Sequence, residues 1–493
     1  MKERAAGILL PVSSLPSKYG IGTFGREAYR FVDQLIGAGQ KYWQVLPIGP
    51  TSFGDSPYQS FSAFAGNPYF IDLDALIEGG LLKREEVESR DWGENPTEVD
   101  YAKIYQSRFA VLHQAFERSK HKKNKKYSNF LKKNEYWLDD YAFYMALKFY
   151  YGGKEWLAWE EGIRMRRKEA VVRYRKLLSV EIDFWKFCQY LFFEQWSSLK
   201  KYANKHGIKI IGDIPLYVAL DSADVWTHGE LFELDERKKP IHVAGVPPDA
   251  FSDDGQLWGN PLYNWKKMEK TKFHWWAQRM KSNAKLYDVI RIDHFIGIVN
   301  FWSVPADETT AIKGKWKKGP GKKLTQVIKK ATKGSDIIAE DLGVVGDNVR
   351  KLINKTGWPG MKILEFAFDG KSSNEYLPHN LQSRNCIIYG GTHDNETLAG
   401  FFKEKTDEEL EFLYQYLDIS SKAEIPQAII RAGYMSIADT AVFQMQDILE
   451  LDNSARMNLP ATVGINWKWR MLPGQFTKTH MKRLKKLCEV YSR

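Results

Sequence analysis

Short apolar, β-branched runs recur along this chain, separated by longer stretches with helical periodicity. Ile208–Asp213, Asp288–Asp293, Asp336–Glu340 and Cys386–Tyr389 are four such runs. Strands covered on both faces read this way, as continuous apolar segments, and that is the mark of a parallel sheet. Gly7–Leu10 and Tyr42–Leu46 are earlier strand candidates; Lys362–Phe366 and a run ending near Trp467 are later ones. Ahead of Ile208, the residues Phe184, Phe187, Cys188, Leu191, Phe192, Trp196 and Leu199 share one helical face. Gly207 stands where a helix ends in a left-handed residue, so helix, turn and strand form half of a βαβ unit. About eight strand candidates with helices between them predict an α/β chain folded as a (β/α)8 TIM barrel with helical and loop insertions.

The intervals between strands are uneven. Residues 74–180 are polar, charged and mostly helical in pattern, residues 215–287 are rich in Gly, Pro and Trp and read as a loop subdomain, and residues 396–455 are helical again. Such lengths exceed ordinary barrel loops. They are expected to be insertions into a single catalytic barrel spanning 1–493.

Composition narrows the class of protein. Three cysteines, Cys188, Cys386 and Cys488, are too few and too widely spaced for a disulfide framework or a zinc site. The N-terminal apolar stretch stops at Pro11, short of a signal-peptide core, and no run of about 18 apolar residues exists to span a membrane. A reducing, cytoplasmic setting is the expectation. The net charge of +11 comes largely from seven lysines between Lys120 and Lys133 and eight between Lys313 and Lys330. These read as a solvated surface, with no nucleic-acid motif beside them. The 17 Trp, 25 Tyr and 27 Phe residues fit either a bulky core or a cleft in which pyranose rings stack on aromatic faces. Composition leaves that choice open.

The chemistry gathers where the strand candidates end. Asp213, Asp293 and Glu340 each follow an apolar run, and His393-Asp394 follows Ile387-Ile388-Tyr389 after two glycines. A barrel collects its strand C-termini at one mouth, where barrel enzymes keep their active sites. One strand-end carboxylate is ordinarily a cap or turn former; four of them point to a site. Arg291 and Asp293 lie two apart and face the same way. The guanidinium is expected to hold Asp293 ionised and low in pKa, as a nucleophile requires, whereas a proton donor such as Glu340 needs a raised pKa.

Arg291-Ile292-Asp293-His294-Phe295, Ala339-Glu340-Asp341-Leu342-Gly343 and Thr392-His393-Asp394-Asn395 resemble the three catalytic segments of the amylomaltases, the 4-α-glucanotransferases of the α-amylase clan. The resemblance continues, in order, through Gly54–Ser60, Gly212–Pro215, Gly245–Asp249, Gly255–Pro261 and Asn466–Arg470, and so covers about the whole chain. It implies retaining transfer of α-1,4-glucan segments from starch or a maltooligosaccharide donor to the 4-hydroxyl of an acceptor. Asp293 would be the nucleophile, Glu340 the general acid/base and Asp394 the transition-state stabiliser. Tyr58, Asp213, Arg291 and His393 would line the subsite of the attacked sugar. The segment Gly245–Pro261 resembles the family's lid over the cleft, with Trp258 as a stacking platform for an acceptor glucose. Structural roles for Tyr58 (a turn tyrosine), His393 (bonded to a backbone carbonyl) and Trp258 stay open at this point. No metal, nucleotide or other cofactor is expected, because acid–base chemistry needs none and no phosphate-binding glycine loop is present. The partners expected are α-1,4-glucans and maltooligosaccharides, without nucleic acid, membrane or a protein partner. Besides a net charge that is unusually basic for such an enzyme, two departures stand out. Ala461 replaces a more familiar glycine, and Phe53 stands where some relatives carry a tyrosine tied to a second glucan site. A hydrolase with the same residues and a non-catalytic glucan-binding protein are the rival readings.

Overall fold

The computed structural model describes residues 3–52, 54–248, 252–343 and 345–493. Phe53, Asp249 and the middle of the expected lid lie outside the described residues. Twelve strands are present among the described residues: β1 (Ala5–Leu9), β2 (Tyr42–Gln44), β3 (Lys209–Ile214), β4 (His242–Val246), β5 (Gln256–Pro261), β6 (Val289–Ile292), β7 (Asn300–Pro305), β8 (Lys315–Lys318), β9 (Asp336–Ala339), β10 (Gly360–Ile363), β11 (Cys386–Tyr389) and β12 (Thr440–Gln444). Eight of them form one parallel sheet in the order β10-β11-β12-β1-β2-β3-β6-β9. The two ends of that sheet meet where Ala339 N–H, in β9, donates to Pro359 O, just before β10, at 2.9 Å. The result is an eight-stranded, nearly closed barrel in which each strand neighbours the next one along the chain.

The strands are apolar throughout because both faces are covered. Leu9, Tyr42, Ile211, Val289, Ile338, Met361, Ile363, Ile387, Tyr389 and Val442 pack together as the barrel interior, while Ile8, Trp43, Ile210, Ile290 and Ile388 belong to the core shared with the surrounding helices. The period of two then determines what the mouth contains. Ile211 points inward and so does Asp213; Val289 is followed in phase by Arg291 and Asp293, and Ile338 by Glu340.

The helix Ser179–Lys205 ends as expected. His206 is its C-cap, Gly207 has φ +79°, Gly207 N–H donates to Asn204 O at 3.0 Å, and Ile208 N–H donates to Ala203 O at 2.9 Å. These two bonds form a Schellman motif and hand the chain directly to β3. The stretch 74–180 is largely helical, with helices at Tyr101–Arg118, Lys125–Tyr150 and Lys168–Leu177.

Three expectations need correction. The eighth barrel strand is Thr440–Gln444, within the stretch read as helical, 396–455, and not the run ending near Trp467. The apolar pattern of its flanks, Ile425–Met435 and Met445–Ile448, is helical and hides a five-residue strand. The segment around Trp467 lies outside the barrel: Trp467 is left-handed, with φ +66°, and only the chain after it pairs, Trp469 forming an isolated antiparallel bridge with Glu98 while Val99 N–H donates to Lys468 O at 2.8 Å. Residues 215–287 are not a loop subdomain alone. They hold β4, β5 and the helices Trp265–Lys270 and His274–Leu286, and β5-β4-β7-β8 form a separate four-stranded antiparallel sheet. The described part of the lid is therefore a ladder, pairing Gly245 with Leu257 and Val246 with Gln256. Its glycines obscure the strand pattern, and Gly255 and Gly259 take left-handed φ values of +66° and +73°.

Candidate active site

At the C-terminal mouth of the barrel one guanidinium nitrogen organises two carboxylates. Asp213 in β3 is paired in register with Arg291 in β6. Arg291 Nη1 donates to Asp213 Oδ1 at 2.8 Å, to Asp213 Oδ2 at 2.7 Å and to Asp293 Oδ1 at 3.0 Å. The Arg291 and Asp213 side chains are fully buried, whereas that of Asp293 keeps a quarter of its surface open. Tyr58, from the segment between β2 and β3, donates its hydroxyl to Asp213 Oδ2 at 2.7 Å. Its ring stacks on His393 with 5.0 Å between centroids and 13° between planes.

Glu340 follows β9 directly and is buried. Its Oε2 accepts the backbone N–H of His294 at 2.7 Å, and its Oε1 accepts that of Leu342 at 2.6 Å. His294 reaches it because its backbone is left-handed, with φ +49°, a conformation an L-residue keeps only where the surroundings hold it. His393-Asp394 lies on the turn after β11. His393 Nε2 is 3.2 Å from Asp394 Oδ2, and Asn458 donates its side-chain amide to Asp394 Oδ1 at 2.7 Å. The Asp394 side chain remains 44% exposed to the cleft.

The electrostatics separate these carboxyls. Burial pushes Glu340 up to about 8, with the Asp293 charge adding to it against the pull of Arg291. Burial also raises Asp293, to about 6, and Asp213 and Asp394 reinforce this while Arg291 and His393 oppose it. The expectation of a depressed Asp293 is thus corrected: Arg291 does draw it down, but it shares its charge with Asp213 and does not offset desolvation. Asp394 goes the other way. Burial disfavours its charge, yet His393, Asn458 and Arg291 together hold it well below the usual carboxylate range. Burial likewise disfavours the charged form of His393, but the adjoining Asp394 raises that histidine above its ordinary pKa.

Seven of the eight residues singled out in the sequence, Tyr58, Asp213, Arg291, Asp293, Glu340, His393 and Asp394, are brought into one contiguous group. Trp258, on β5, is joined to it through His294, whose ring it meets edge-on at 4.7 Å. Gln59, next to Tyr58, donates to Asn260 Oδ1 at 3.1 Å and so ties β5 to the same segment. Asn458 and the backbone of His294 were not anticipated. Their roles depend on a turn conformation and a long-range contact, and neither leaves a local signal. Among the described residues no group of three or more His, Cys, Asp or Glu side chains has the arrangement of a metal site, and no helix is long and apolar enough to cross a membrane.

Comparison with known proteins places this geometry in context. The sequence pattern of a family described as 4-alpha-glucanotransferase matches residues 10–476. A 4-alpha-glucanotransferase of Clostridium butyricum is 48% identical over 484 residues, covering 98% of this chain and 99% of its own. One from Thermus thermophilus is 44% identical, covering 99% of both. The structure of an amylomaltase from Streptococcus agalactiae in complex with acarbose superimposes with a TM-score of 0.96 at 43% identity, covering 100% of both chains.

Proposed function

Since this chain belongs to the 4-alpha-glucanotransferase family and carries that family's activity, we propose that it transfers α-1,4-glucan segments by double displacement, with Asp293 as nucleophile, Glu340 as general acid/base and Asp394 as transition-state stabiliser. The observation that carries this reading is the unequal surroundings of the two carboxyls: Asp293 accepts a hydrogen bond from the Arg291 guanidinium at 3.0 Å, which favours its charge, whereas the buried Glu340 is hydrogen-bonded by the backbone N–H groups of His294 and Leu342, and burial raises its pKa above the ordinary carboxylate range.

In the first step Glu340 gives its proton to the glycosidic oxygen as Asp293 attacks the anomeric carbon, and the shortened glucan leaves. Asp394, held ionised by His393 and Asn458 and open to the cleft, accepts hydrogen bonds from ring hydroxyls, contacts that strengthen as the oxocarbenium ion forms. Tyr58 and Asp213 shape the floor of the same subsite. In the second step Glu340 must be a base. The ester on Asp293 has no charge, which removes one of the influences that raise Glu340, and the backbone N–H groups of His294 and Leu342 stabilise its carboxylate. Glu340 then takes the proton of the acceptor 4-hydroxyl, and the sugar leaves Asp293 with its α-configuration restored.

Transfer must outrun hydrolysis although water is present at about 55 M. An oriented acceptor can have an effective molarity of about 10⁵ M or more. Trp258, beside the residue that follows Asp293, is the platform we assign to that acceptor. The amylomaltase bound to acarbose supports a glucan-shaped cleft here. One catalytic unit with helical and sheet insertions, in a reducing cytoplasm, is the setting that accords with the buried, unpaired Cys188, Cys386 and Cys488. Incubation with maltotriose followed by proton NMR and chromatography tests the reading. Glucose and a ladder of longer α-linked maltooligosaccharides are expected; shorter sugars alone, with one new reducing end per bond broken, contradict it.

A further inference from the structure

A fifth strand-end carboxylate, outside the group described above, lies beneath the turn that carries Asp394. Glu365 follows the inward-facing Ile363 of β10 by two residues, as Glu340 follows Ile338 of β9, and is only 6% exposed. Its backbone N–H donates to Gly390 O at 3.0 Å, fastening it to the end of β11. Its carboxyl is hydrogen-bonded by the side chain of Asn395, while Oε2 is sealed from solvent with no hydrogen-bond partner among the described residues. Asn395 in turn closes the turn: its Oδ1 accepts Thr392 N–H at 2.9 Å and the Thr392 hydroxyl at 3.0 Å, with His393 and Asp394 held between them. Gly391 lets the two side chains meet. A Cβ there would stand 2.9 Å from Asn395 Cβ and 3.0 Å from Glu365 Oε2.

We infer that Glu365 is a positioning residue for Asp394, acting through Asn395 to fix the orientation of the 392–395 turn. The inference rests on the reading of Asp394 as transition-state stabiliser. Among the described residues the hydrogen bonds of Glu365 run to the turn through Asn395 and not to Asp394 itself, so its effect on Asp394 is one of position. It acts as a neutral acid. Burial raises it to about 8; Asp447 and Glu396 disfavour its charge as well, and only Asn395 and Arg456 oppose them. Asp447 is itself buried, with Oδ1 accepting Leu398 N–H at 2.8 Å and Oδ2 unpartnered among the described residues, so a second anion at Glu365 would be poorly accommodated.

A double-mutant cycle on maltotriose disproportionation tests this, with folding of each variant checked by circular dichroism. A small misplacement of a catalytic group can reduce turnover by about 10²-fold, so Glu365→Ala is expected to lower kcat by about 10- to 100-fold with KM changed by less than about 3-fold. Glu365→Gln keeps an uncharged side chain and an acceptor oxygen for Asn395, and is expected to restore kcat to within about 3-fold of the unaltered protein. In an Asp394→Asn background, Glu365→Ala should reduce the residual kcat by no more than about 2-fold, because the two changes act on one element. If Glu365→Ala does not fold, Asn395→Ala takes its place in the same cycle, with the same expected non-additivity. Equal factors in both backgrounds, or a Glu365→Gln variant as impaired as Glu365→Ala, would overturn the inference while leaving the role of Asp394 intact. A fully active Asp394→Asn variant would overturn that role and the inference together.

Discussion

Arg291 gives one nitrogen, Nη1, to both carboxylate oxygens of Asp213, at 2.7 and 2.8 Å, before the same nitrogen reaches Asp293 at 3.0 Å. Its charge is therefore divided, and Asp213 works against ionisation of Asp293. Neutralising Asp213 should leave more of the guanidinium to Asp293 and lower its pKa. In Asp213→Asn the acidic limb of the kcat/KM profile is expected to move to lower pH, even as the loss of the Tyr58 and Arg291 contacts reduces the maximum. A limb that stays put or moves upward contradicts this division of charge.

The unaltered protein should show a bell-shaped profile. Asp293 has to be ionised, so activity falls as the pH drops below about 6; Glu340 has to be protonated, so activity falls as the pH rises above about 8. The two apparent values belong to the interacting pair. Glu340→Gln removes the proton donor and should abolish the alkaline limb for activated donors such as maltosyl fluoride, whose leaving group needs no protonation. An unchanged alkaline limb in that variant would assign it to another group.

The barrel was legible because most of its strands are short, largely apolar runs, and where β3, β6 and β9 end, Asp213, Asp293 and Glu340 continue the inward-facing parity of Ile211, Val289 and Ile338. Thr440–Gln444 was not legible, because a short strand between two apolar helices has no period of its own. The Asn466–Arg470 alternation mimics a strand, but the left-handed turn at Trp467 interrupts it, and only Trp469 pairs, with Glu98, hundreds of residues away in sequence. The pKa of Asp293 was misjudged for a related reason. Sequence shows Arg291 two residues off but not that Asp213 claims the same nitrogen.

Trp258→Ala should shift the outcome from transfer toward hydrolysis more than it slows donor cleavage. The ring packs edge-on against His294 and leaves the Arg291–Asp213–Asp293 contacts untouched. The ratio of glucose released to new reducing ends, measured with maltotriose, reads the partition. A variant that loses donor cleavage and keeps the original ratio would place Trp258 in the donor site.

Ala461 is exposed and has φ +64°, the left-handed conformation that explains why glycine is the more familiar residue there. Left-handed backbone costs an L-residue about 1–2 kcal/mol, and glycine gives back part of that in unfolded-state entropy. Ala461→Gly is expected to stabilise the protein by about 0.5–1 kcal/mol, seen as a higher urea midpoint at unchanged slope. A lower midpoint would show that the turn is held by something other than local backbone preference.

The most direct measurement is the identity of the residue that carries the sugar between the two steps. A 5-fluoro-glycosyl fluoride donor slows both steps through oxocarbenium-like transition states, and in the Glu340→Gln variant the second step also lacks its base. Peptide mass spectrometry after rapid quenching should then find one added glycosyl group, on the peptide containing Asp293 and on that side chain. A label on Asp213 or Asp394, or inverted products with no label anywhere, would contradict a glycosyl-enzyme on Asp293.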